Sequence, residues 1–268
     1  MSLLNKRTRS RKERRLSSLH MVSHNLKGEV STLGDIIKRG SRFYVGQPKR
    51  IRASATYKKL IIDVPEAVVS DTVPETMFFY MDTRFTTTQM NRMKRLIGVV
   101  LSIWFFHYQQ KNEGAILSAY QSCVNKYAKF NLSPVWFEGK LSNGAVAADV
   151  QMDGLTTMIA ANGFGRAAKA YIMYQASGTS TIKGVSASEP EKNSLTITVN
   201  STDLNNTGIT DSFLGGSLLH AWLHREGYRH PAGKFTSYFA GEAAMCGMRG
   251  NKDKSPLIPI STYTKWLD

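Results

Sequence analysis

"HAWLHREGYRH", residues 220–230, puts three of the chain's six histidines into eleven positions. His220 and His224 are four apart, and on an α-helix such residues project from one face about 6 Å from each other. Two imidazoles so placed can hold one ion, because Zn–N bonds are about 2.0–2.1 Å long. Gly227 then ends the helix, since glycine takes left-handed backbone at little cost, and Pro231 prevents further helix. That exit swings the chain back so that His230 can reach the same ion. Three histidines with one position left open have the shape of a catalytic zinc site rather than a closed structural one. The alternative is that His220 and His224 are hydrogen-bonded core histidines. Three histidines at this spacing, with the glycine and proline in place, favour the metal.

The surrounding residues fit a helix. Asp211 or Ser212 can cap it before "SFLGGSLLHAWLHRE". Leu219, Trp222 and Leu223 offer apolar surface to the core, and Gly215 and Gly216 permit close backbone packing.

Upstream, "ATYKKLIIDVP" (55–65) and "TMFFYMDTRF" (76–85) read as strands. Thr86 and Gln89 form a capping box, behind which apolar residues at 90, 93, 97, 100, 101, 104, 105 and 108 follow helical spacing. A second helix fits 113–130, with Ile116, Leu117, Tyr120, Val124 and Tyr127 on one side. "PVWFEG" (134–139), "AKAYIMYQ" (168–175) and "SLTITVN" (194–200) read as strands between Gly- and Ser-rich turns. Strands interleave with helices, so the globular part is mixed α and β.

The histidine stretch resembles the zinc signature of the metzincin metallopeptidases, H-E-x-x-H-x-x-G-x-x-H. His220, His224, Gly227 and His230 match, and Ala221 stands where the family has glutamate. The resemblance covers residues 168–260 and implies an α+β domain with a mixed sheet, an active-site helix and a Met-turn. It implies Zn2+ on His220, His224 and His230, with water as the fourth ligand and a polypeptide as substrate. The family's methionine turn lies beneath the metal; "AAMCGMRG" (243–250) supplies Met248, with Met245 as runner-up. The family's edge strand, which would receive substrate backbone by β-augmentation, would correspond to "SLTITVN".

Ala221 decides activity. In such sites zinc activates a water, and the glutamate takes its proton and passes it to the leaving amine. Alanine accepts no proton, and general-base help is worth about 10²–10⁴ in rate. This chain is therefore expected to bind zinc and cleave poorly or not at all. Glu226 lies six residues beyond His220 and points away, while Glu242 lies nearer the expected Met-turn. Two histories give this pattern. One is an engineered Glu→Ala inactivation of a toxic or self-cleaving protease, favoured because every other motif position is intact. The other is a natural pseudo-peptidase, a zinc-stabilised binding protein.

Charge is unevenly placed. Residues 1–60 hold 16 of the 35 Lys and Arg but three of the 20 acids, a balance of +13; the other 208 residues hold 19 and 17, a balance of +2. Residues 1–55 thus read as a basic, partly disordered extension (pro-segment, delivery signal or linker), followed by the metallopeptidase domain at 56–268. The extension can engage an acidic partner. Nucleic-acid binding is disfavoured because no stacking aromatics alternate with its charges. No secretory signal is visible, which leaves delivery by another export route open. The longest strongly apolar run, Leu96–Phe106, is too short to cross a bilayer at roughly 20 residues, so a soluble protein is expected. Cys123 and Cys246 can form one disulfide or remain two thiols.

Overall fold

Alternating burial starts the sheet. The computed structural model describes residues 56–67, 73–161, 169–178, 182–184 and 194–268. Strand β1 (Tyr57–Asp63) buries Leu60 and Ile62, and β2 (Thr76–Asp82) buries Met77, Phe79 and Met81. Side chains two apart share one face of a strand, so each strand lays an apolar face on the core. The two pair antiparallel, with Leu60 opposite Phe79. The basic extension, residues 1–55, lies outside the described residues.

Strand β3 (Tyr171–Gln175) joins β2 in parallel. Beyond β4 (Ile182–Lys183), β5 (Ile197–Asn200) returns parallel to β3, and β4 pairs antiparallel on the outer side of β5. The order β1-β2-β3-β5-β4 is a mixed, open five-stranded sheet, and with its helices the fold is α+β. "SLTITVN" is therefore not an edge. Its strand β5 is interior, and the edge beside it is β4, whose two described residues are too short to show alternation.

Residues 134–139 are not a strand either. Pro134 has no N–H to give a ladder, the Val135 N–H donates to the Gly227 carbonyl at 3.1 Å, and Trp136 Nε1 donates to the Glu226 carbonyl at 2.7 Å. The stretch instead closes over the end of the histidine helix.

Helix α1 (Thr87–Asn112) begins at the expected capping box, with Thr86 and Gln89 bonded in both directions. It buries Met93, Leu96, Ile97, Val100, Leu101 and Trp104 along one stripe. The second helix, α2 (Ala119–Tyr127), is shorter than the expected 113–130. Gly114 takes φ +93 and Ser118 forms its own capping box with Gln121, so Ile116 and Leu117 fall before the helix and are exposed. Helix α3 (Gly144–Ala161) was hidden within what reads as Gly- and Ser-rich turns; it buries Ala147, Ala148, Met152, Leu155 and Ile159. Among the described residues no helix is long and apolar enough to cross a membrane.

After β5 come α4 (Ser201–Asn205), α5 (Asp211–Arg225), α6 (Phe239–Met248) and α7 (Ser261–Thr264). Two side chains of α1 fix the approach to α5. Gln89 Nε2 donates to the Ser201 carbonyl at 3.0 Å. The buried Arg92 guanidinium donates to the carbonyls of Leu204 (3.1 Å), Asn206 (2.7 Å) and Ile209, and meets Asp211 Oδ1 at 3.0 Å. A buried charge is tolerable when its donors are satisfied in this way. Phe79 of β2 stacks on Trp222 of α5 with ring centroids 5.9 Å apart, which seats the helix on the sheet. The α5 glycines act as expected: a Cβ at Gly215 would lie 2.5 Å from Val99 Cγ1, and one at Gly216 would lie 2.4 Å from Met248 Cγ. Cys123 of α2 and Cys246 of α6 form a disulfide.

Candidate metal centre

Thr210 caps α5, its side chain accepting from the Phe213 N–H. That is one residue before the expected Asp211 or Ser212, because Asp211 is already held by Arg92 and Arg95. At the other end, Glu226 is the C-cap and Gly227 takes φ +99. The Gly227 N–H donates to the His224 carbonyl (3.1 Å) and the Tyr228 N–H to the Leu223 carbonyl (3.0 Å). This double reversal is the Schellman ending that a glycine after the C-cap permits. It turns the chain back over the helix and delivers His230.

The three histidines converge. Nε2 of His220 lies 3.1 Å from Nε2 of His224 and 3.1 Å from Nε2 of His230. Their ligand atoms all lie within 4.8 Å of one another, close enough to hold one metal ion. Tetrahedral zinc with Zn–N bonds of about 2.0–2.1 Å sets its ligands about 3.3–3.4 Å apart, close to the observed separations.

The partners of the other ring nitrogens indicate the tautomer. His220 Nδ1 faces the Ala240 carbonyl at 3.0 Å, His224 Nδ1 the Tyr228 carbonyl at 2.8 Å, and His230 Nδ1 the Pro231 carbonyl at 3.0 Å. A carbonyl only accepts, so each Nδ1 carries the hydrogen. Burial, with the neighbouring imidazoles adding to it, holds His220 well below the ordinary range, and burial brings His224 down to about 4. His220 and His224, neutral and protonated at Nδ1, leave Nε2 lone pairs facing each other with no hydrogen between them, and His230 turns its Nε2 towards the same point. A cation at that point removes the repulsion, and carbonyl-anchored Nδ1–H groups are how metal-ligating histidines are oriented.

In metal-free protein, His224 should titrate near 4 and His220 well below the ordinary histidine range, readable from their ring proton shifts during an NMR titration. Both groups release their protons more readily folded than unfolded, so their contribution to stability is full above about 6.5 and is lost as pH falls towards 4. Midpoints near 6.5 would show that the rings are not buried in this way.

The remaining expected site residues are scattered. Ala221 is fully buried. After β4, Gly184 passes so close that a Cβ there would sit 1.9 Å from the Ala221 carbonyl oxygen. Glu226 is buried away from the histidines; Gln151 Nε2 donates to it at 3.4 Å, and burial raises its carboxyl well above the usual range. Glu242 pairs with Lys254 Nζ at 2.7 Å and accepts from the Ser237 N–H. Neither acid stands in for a base. Met245 and Met248 lie within α6, Met248 as its last residue packed on Gly216, and a glycine-containing turn follows at residues 249–251, with Gly250 at φ +60. Ala243 and Ala244 are strong helix formers and favour helix before it.

Comparison with protein-family models, with curated proteins and with solved structures finds no match to this chain. The geometry has to speak for itself.

Two participants were not read from the sequence. Phe235 walls the site, its ring 5.0 Å from that of His230 and 6.0 Å from that of His220. Asp268 brings Oδ1 to 3.3 Å from His220 Nε2 and 3.7 Å from His224 Nε2. Burial pushes its carboxyl up to about 6. Neither residue belongs to a spacing pattern with the histidines, so no sequence signal pointed to it.

Proposed function

We propose that the chain is a zinc-dependent endopeptidase of metzincin type, in a form that lacks its general-base glutamate at position 221. The observation that carries this reading is the trio of imidazoles, His220, His224 and His230, whose Nδ1 groups are tied to carbonyls and whose Nε2 atoms converge. When bound, zinc supplies a Lewis acid and an activated water. The chain's own part is to hold the ion on three imidazole donors, wall the site with Phe235, and offer substrate backbone an edge strand. That edge is β4 rather than β5: it is the outer antiparallel strand and leads to the contact of Gly184 with Ala221. β-Augmentation along it would align a peptide over the histidines. The disulfide favours an oxidising compartment, in keeping with an exported enzyme. The test is to assay the Ala221→Glu form on unfolded proteins with and without a zinc chelator.

A second reading is a zinc-stabilised binding protein whose basic extension engages an acidic partner. The burial of Ala221 beneath Gly184 favours it, since an open catalytic cleft would leave that position accessible. A zinc-loaded Ala221→Glu form that cleaves nothing, both with Asp268 in place and with Asp268→Ala, would decide for it.

A further inference from the structure

We propose that the side chain of Asp268 supplies the fourth ligand of the metal centre, closing the position a hydrolytic zinc would leave to water. The inference rests on the metal reading of the three histidines and not on the peptidase reading.

Three observations carry it. Asp268 Oδ1 lies 3.3 Å and 3.7 Å from two of the converging Nε2 atoms. Ligands of one tetrahedral zinc stand about 3.3–3.4 Å apart, so the oxygen stands at or near ligand spacing from His220 and His224. Second, Oδ1 is buried and accepts no hydrogen bond among the described residues. A buried carboxylate oxygen without a donor is costly, and the two Nε2 atoms facing it have no hydrogen to give while their Nδ1 hydrogens point at carbonyls. A cation satisfies the carboxylate and the imidazoles together. Third, the segment around it is built in: Tyr263 and Leu267 are buried, Tyr263 stacks on Phe213 of α5 with ring centroids 5.4 Å apart, and the Leu267 N–H donates to the Thr264 carbonyl. Asp268 is therefore delivered to the metal point by packed structure on the same helix that carries two of the histidines.

The chemical consequence is a site of three imidazoles and one carboxylate with no free position. Small anions that bind by replacing water on an open zinc or cobalt centre would find none to replace.

The test uses the full chain, Asp268→Ala and the near-isosteric Asp268→Asn, each loaded with Zn2+ or Co2+. Affinity is read by competition with a chromophoric chelator and coordination by the visible spectrum of the cobalt form, with and without azide. The parent should show a four-coordinate cobalt spectrum that azide leaves unchanged. Both variants should bind metal at least about tenfold more weakly and should acquire an azide-dependent spectral change. Equal affinity and equal azide response in parent and variants would overturn the proposal while leaving the histidine site standing. Absence of metal from the parent as well would overturn both. Asp268→Asn keeps the size of the side chain, so a loss confined to Asp268→Ala and absent from Asp268→Asn would assign the residue to packing and also overturn the proposal.

Discussion

Ala221→Glu, made together with Asp268→Ala so that the metal keeps a position for water, should convert the chain into a chelator-sensitive peptidase, with a gain of about 10²–10⁴ over Asp268→Ala alone from general-base help. Positions 221 and 224 are three apart on α5 and so are neighbours on its surface, which places a carboxylate at 221 beside a metal ligand. Alanine and glutamate are both good helix formers, so α5 should tolerate the change. The structure adds a condition. Ala221 is fully buried and Gly184 lies against its carbonyl, so the new carboxylate enters a closed space, where an ionised group without a cation costs several kcal/mol. Zinc should therefore raise the melting temperature more in Ala221→Glu than in the parent. Activity on unfolded proteins, and self-cleavage, measures the gain. With Asp268 on the metal, Ala221→Glu combined with Asp268→Ala should be the more active form. A zinc-loaded glutamate variant that is inert in both backgrounds would contradict the peptidase reading.

Reducing the Cys123–Cys246 disulfide, or replacing both cysteines by alanine, should destabilise the domain by about 2–5 kcal/mol. The two residues are 123 apart in sequence, and in the chain-entropy account a loop of that order confines the unfolded ensemble by nearly the upper end of this range. The bond ties α2 to α6. Helix α6 also carries Ala240, whose carbonyl orients His220, so the reduced protein should hold metal less tightly as well. Urea unfolding of oxidised and reduced protein, each with and without zinc, measures both effects. An unfolding midpoint unmoved by reductant would show that the cross-link contributes little.

The histidine helix was legible because each of its parts is a local signal. Spacing four put His220 and His224 on one face, Gly227 supplied the positive φ, and Gly215 and Gly216 marked close approach; all of these hold in the structure. β1, β2 and α1 were legible for the same reason, through alternation and a capping box. α3 was not, because its small apolar residues give little contrast between faces and its mid-helix Gly154 reads as a break. Strand order was not legible either: whether "SLTITVN" is an edge depends on β4, a two-residue partner. The turn after Met248 was legible from Gly250, which takes the positive φ that ends α6. Asp268 could not be found at all, since only the tertiary path through α7 brings it back to the histidines.

Elemental analysis of the purified full chain in metal-replete buffer tests the metal centre most directly. The expected result is about one zinc per chain, lost on His224→Ala together with part of the thermal stability. Zinc-free protein, or zinc content unchanged by His224→Ala, would contradict it.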